Sequence, residues 1–124
     1  METTDFHEIF TRVKKQLAPY GKKMEIRLDT TSSYQLYIIK NVELFGRQFK
    51  ECYFSGAVVQ KTMVSLHFFP IYTHPKECII PPAIKKNLKG KSCFNFKKLD
   101  DEQEKALGLL LKDGFDLYNK KFDL

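Results

Sequence analysis

Phe6, Ile9, Phe10, Val13 and Leu17 recur at the spacing of one helix face, and downstream the apolar pattern changes to period two. Thr4 and Asp5 stand where a helix cap is needed, and Pro19 with Gly21 closes the segment. Met24-Glu25-Ile26-Arg27-Leu28 then alternates as a strand, 29–33 reads as a turn and 34–39 as a second strand, which together predict a β-hairpin. The stretches 49–59 and 62–69 are again strand-like. Only Gln60 and Lys61 separate them, so antiparallel pairing is expected, with Gly46 marking a turn and Gly56 a bulge. Pro70, Pro75, Pro81 and Pro82 interrupt the pattern. Pro82 is placed to open a helix through Ile84 and Leu88 that Gly90 terminates, and 91–97 is one more strand. The last segment sets Leu107, Leu110, Leu111, Phe115, Tyr118 and Phe122 on one helical stripe, with Asp101 and Glu104 spaced as a capping box. Gly108 and Gly114 each weaken that helix by about 1 kcal/mol, which predicts a kink or a close packing contact there. The order of elements specifies a single α+β domain over 1–124. Its expected form is an antiparallel sheet of about five strands, packed on one face by the N- and C-terminal helices.

The period-two segments also sort the chemistry. Val64, Leu66 and Phe68 point to the core while Ser65 and His67 point away, and Phe94 and Phe96 likewise leave Cys93 and Asn95 on the opposite face. Two adjacent strands thus offer Ser65, His67, Cys93 and Asn95 on one surface. Tyr37, Tyr53 and Tyr72, with Tyr34 and Phe69, supply aromatic walls for a ligand site with a few oriented polar groups. The same face suits a symmetric contact, so monomer and homodimer both remain open. Cys93, His67 and Asn95 are also the residue types of a thiol nucleophile, its base and an orienting amide. Reactive thiols, however, favour helix N-termini or a fixed cation, and a cysteine within a strand is commonly a small hydrophobe. No catalytic residue is therefore assigned. His67, His74 and a cysteine match no structural zinc spacing, and no metal ligand is assigned either. Gly90-Lys91-Ser92 resembles the end of a phosphate-binding loop, but Lys85 stands where that loop needs its first glycine.

Composition narrows the function classes. A chain of 124 residues, 43% hydrophobic and 14% aromatic, is long enough for a core and is not disordered throughout. Cys52, Cys78 and Cys93 are odd in number and widely spaced, which argues against a disulfide scaffold and a zinc ribbon and fits reduced thiols. The acidic, polar start and the absence of a spanning apolar run give the expectation of a cytoplasmic protein without membrane contact. The net charge is +6, and no acid falls between Pro82 and Lys98. Lys85, Lys86, Lys89 and Lys91 are accordingly candidates for binding an anion, with Lys97 and Lys98 in the same run. Nucleic acid is a less favoured partner, because the basic footprint comes without a recognisable module.

Val64-Ser65-Leu66-His67-Phe68-Phe69-Pro70-Ile71-Tyr72, then Leu88-Lys89-Gly90-Lys91-Ser92-Cys93-Phe94-Asn95-Phe96 and a terminal amphipathic helix, resemble a bacterial family of uncharacterised small proteins. That family is similar to the YdhG-like domain of unknown function, some members of which are described as frataxin-like iron chaperones. The resemblance spans most of the chain and implies a compact α+β fold. The Tyr-Gly-Met-Pro segment usual in the wider group is absent here, and the basic charge runs against the acidic surface that iron handling of that kind relies on. No catalytic residues follow from the resemblance. The leading expectation is a non-enzymatic module that binds a small ligand or a partner segment on the face carrying Ser65, His67, Tyr72, Cys93, Asn95, Tyr37 and Tyr53. The alternative is iron or other metal handling; nucleic-acid binding and thiol catalysis rank lower. The sequence specifies no cofactor.

Overall fold

The structure, a computed structural model, describes residues 2–124. Two backbone bonds of 2.9 Å between Thr3 and Leu99 tie the N-terminal arm to the segment before the last helix. Helix α1 (Phe6–Leu17) starts because Asp5 keeps an extended backbone and its carboxylate accepts the His7 and Glu8 amides at 2.9 and 3.3 Å. Those amides have no partner inside the helix. Ile9, Phe10, Val13 and Leu17 form its buried stripe. Ala18–Lys22, which includes Pro19, tightens into a 3-10 turn.

Eight strands follow: β1 (Glu25–Asp29), β2 (Ser33–Ile38), β3 (Val42–Leu44), β4 (Arg47–Phe49), β5 (Cys52–Val59), β6 (Val64–Phe68), β7 (Leu88–Lys89) and β8 (Cys93–Phe96). Six of them form one antiparallel sheet in the order β1-β2-β5-β6-β8-β7, and β3 and β4 make a separate hairpin. Short helices α2 (Pro70–Thr73) and α3 (Pro82–Lys85) lie between β6 and β7, and α4 (Asp101–Phe122) ends the fold. Helices α1 and α4 pack on one face of the sheet, as the α+β reading expects. The core lies between them. Leu36, Phe54, Val64, Leu66, Phe68, Phe94 and Phe96 are fully buried there, each contributing about 1.5–3 kcal/mol through loss of water contact.

Four local expectations need correction. The bulge is at Phe54, not Gly56: Leu36 faces Ser55 and Tyr37 faces Tyr53, which leaves Phe54 without an opposite residue. Gly56 serves space instead, since a Cβ there would lie 1.9 Å from Gln35 Oε1 and 2.7 Å from the Tyr53 hydroxyl. The strand expected over 49–59 is split, because Phe49 belongs to the β3–β4 hairpin, whose turn uses Phe45 and Gly46 at φ 56° and 75°. Gly90 is not a helix cap. Leu88 pairs with Phe94 and Lys89 with Cys93, so Gly90, at φ 75°, sits in the β7–β8 turn, and the helix begun at Pro82 lasts one turn. The capping box of α4 is one residue earlier than expected. Asp100 has the extended backbone of an N-cap and accepts the Gln103 amide at 2.8 Å, while the Asp100 amide donates to Gln103 Oε1 at 3.0 Å.

Candidate functional site

The helix-free face of the sheet is where the period-two pattern delivers its polar residues. Pairing sets Ser65 opposite Asn95 and His67 between Cys93 on β8 and Gly56 on β5. Ser65 is fully buried, and its hydroxyl donates to Asn95 Oδ1 at 2.8 Å. The Cys93 thiol donates to the same oxygen at 3.2 Å. Next to this group, the Tyr53 hydroxyl donates to Gln35 Oε1 at 2.6 Å, both side chains lying across the gap that Gly56 leaves. The sequence reading thus places Ser65, His67, Cys93, Asn95 and Tyr53 correctly on one face, and the structure adds Gln35 and Gly56.

Aromatic rings run from this row toward one end of the sheet. Tyr37 meets Tyr53 at 5.1 Å between ring centres, Tyr53 meets Phe69 at 5.9 Å, and Phe69 meets Tyr72 at 5.4 Å. Tyr72 sits on α2 rather than on the sheet, and Tyr34 is buried on the helix side, away from the other tyrosines. Arg27 lies 4.1 Å from the Tyr37 ring centre and is itself clamped by Glu51 at 2.9 and 3.1 Å.

His67 is the distinctive group. It is partly buried, and among the described residues its ring makes no hydrogen bond. Among the described residues no fully buried side-chain nitrogen or oxygen lacks a partner, so both ring nitrogens reach the surface. Burial lowers the His67 pKa from its ordinary value, and burial raises that of Cys93 against an opposing effect of the Ser65 hydroxyl. Imidazole and thiol are both held neutral near pH 7. The arrangement therefore presents hydrogen-bonding groups rather than the thiolate–imidazolium pair that nucleophilic catalysis needs. Cys52 and Cys78 are pushed up to about 11, chiefly by burial.

The lowered histidine has a pH consequence. Burial lowers His74 as well, with Glu77 opposing and Lys121 assisting. Below the ordinary value of 6.5 the unfolded chain binds protons that the folded chain refuses, so stability is expected to fall as pH drops through that value. Chemical denaturation at pH 7.5 and 5.5 checks this. His67→Asn should flatten the slope, and an unchanged slope in His67→Asn/His74→Asn would contradict it.

The four lysines proposed as an anion site are not brought together. Lys86 and Lys89 line a cavity of about 610 Å³ with Lys97, Lys98, Met63, Asn87, Asn95 and Gln103. Lys91 turns to another groove, 5.9 Å from the Tyr72 ring centre, and Lys85 is exposed outside the cavity. The β7–β8 turn parts Lys91 from Lys89, which lie on either side of Gly90 and line different cavities. Asn87 and Gln103, missed in the sequence, are placed by bonding: Asn87 Nδ2 donates to the Asn95 carbonyl at 2.9 Å and Gln103 Nε2 to Asn87 Oδ1 at 3.4 Å. Among the described residues no three His, Cys, Asp or Glu side chains come together as metal ligands, and no helix is long and apolar enough to cross a membrane. Compared with protein-family models, with curated proteins and with solved structures, the chain matches none.

Proposed function

We propose that the chain is a non-enzymatic binding module that receives a small polar ligand on the helix-free face of its sheet. One observation carries this reading: a partly buried imidazole, without a protein partner among the described residues, stands in a row whose other polar groups are bonded to one another. A half-buried polar group gains from a ligand partner because its hydration is already curtailed, and neighbouring Tyr53 and Phe69 rings supply apolar contact. Held neutral, His67 offers one donor and one acceptor to a ligand. Metal handling lacks three His, Cys, Asp or Glu side chains brought together among the described residues, and thiol catalysis lacks an ionised pair.

Ligand-observed NMR screening of small polar molecules against the wild type and His67→Ala tests the proposal. Removing one neutral hydrogen bond worth about 0.5–1.5 kcal/mol should weaken the bound molecules about two- to tenfold. The unfolding midpoint should scarcely move, because the ring bonds to no described residue. Binding unchanged in His67→Ala would refute the assignment, and so would a large loss of stability, which would make the ring structural.

A further inference from the structure

We infer that the cavity lined by Lys86, Lys89, Lys97, Lys98, Asn87 and Asn95 binds the phosphate group of a small phosphate ester. The inference deepens the binding-module reading and rests on it, naming what the ligand carries beside the polar row. Four lysines line one concavity of about 610 Å³, which is sufficient for a nucleotide-sized molecule. Among the described residues no carboxylate lines it. Lys98 has Glu2 at 3.3 Å, whereas Lys86, Lys89 and Lys97 have no ion-pair partner among the described residues.

Asn95 connects the cavity to the polar row. Its side-chain oxygen is occupied by Ser65 and Cys93, so its amide nitrogen is left to donate, without a partner among the described residues. This nitrogen also reaches the surface, since among the described residues no fully buried side-chain nitrogen lacks a partner. A donor amide and three unpaired ammonium groups suit phosphate oxygens, which only accept. Arg27 on β1 is paired with Glu25 and Glu51, and Lys14 on α1 with Asp29, so the positive charge at those positions is offset. Four lysines around one concavity, rather than a line of them along a groove, favour a compact anion over a polynucleotide.

Isothermal titration and amide chemical shifts with pyrophosphate and adenosine monophosphate as probes test the inference. Both probes should shift Lys89, Asn95 and Lys97. The Lys89→Gln/Lys97→Gln protein should bind pyrophosphate at least about fivefold more weakly, while Lys85→Gln, which removes the same kind of charge outside the cavity, should bind as the wild type. An equal loss in Lys85→Gln, or no shift at these residues, would overturn the site as general charge attraction. Affinity for oligothymidylate that rises steadily with length and exceeds that for both probes would overturn it in favour of nucleic acid. His67→Ala separates the two readings. It should leave pyrophosphate binding intact and weaken adenosine monophosphate; if both stay unchanged, the phosphate site stands and the ligand's other end lies elsewhere. If small molecules bind at His67 while neither phosphate probe binds, the phosphate site alone fails.

Discussion

Phe54→Ala is expected to destabilise the fold by about 3–5 kcal/mol, the range for deleting a buried aromatic ring. Phe54 is fully buried, and its ring lies 5.9 Å from Tyr20 and Phe68, 6.1 Å from Tyr118 and 6.4 Å from Phe115. These partners come from the 3-10 turn, the sheet and α4, so they cannot all close on the space without dragging separate elements together. The loss is large beside the stability of about 5–15 kcal/mol usual for a small domain. Urea denaturation followed by circular dichroism measures it. A loss below about 1 kcal/mol would mean that the cluster re-forms without its central ring.

Gly114→Ala should also destabilise, by about 1–3 kcal/mol, against the sign given by helix propensity. Alanine gains about 1 kcal/mol over glycine in an exposed helix. At Gly114, however, a Cβ would sit 2.1 Å from Phe68 Cζ, and that ring is fully buried and in edge contact with Phe54. Forcing extra volume into such a core costs more than the propensity returns. Gly108→Ala is the internal control. Its nearest neighbour is Gln16 Oε1 at 3.0 Å, the far end of a flexible side chain whose Nε2 donates to the Glu104 carbonyl at 2.9 Å; a shift of a few tenths of an ångström makes room without breaking that bond, so that variant should gain up to about 1 kcal/mol. Opposite signs in thermal or urea unfolding support the close approach of α4 to β6. Stabilisation by both substitutions would contradict it.

What the sequence made legible follows the range of the interactions. The 3.6-residue stripe from Phe6 to Leu17 needs only local periodicity, and α1 matches it. The alternation through Val64, Ser65, Leu66, His67 and Phe68 likewise divides core from outer face correctly, which is why most of the polar row was readable. Gly90 was misread because Pro82, Ile84 and Leu88 have helix-compatible spacing, whereas the pairing of Leu88 with Phe94 is set across a turn. The β3–β4 hairpin has three residues per strand, too few for alternation to declare itself. The basic cavity depends on that same β7–β8 return. Lys97 and Lys98 meet Lys86 and Lys89 only after β8 has folded back, so counting lysines along 85–91 selects two that join the cavity and two that do not. The one-residue error in the α4 cap arose because Asp100 and Asp101 are chemically alike, and the backbone of Asp100 decides which of them stands outside the helix.

The helix-free face, and not the helix layer, is the surface proposed to bind the ligand. Amide chemical-shift mapping of the molecules that bind tests it most directly. Shifts are expected to centre on Gly56, His67, Cys93 and Asn95, with α1 and the outward side of α4 unmoved. Shifts centred on the helices, or on the groove between Phe45 and Ile80, would contradict it.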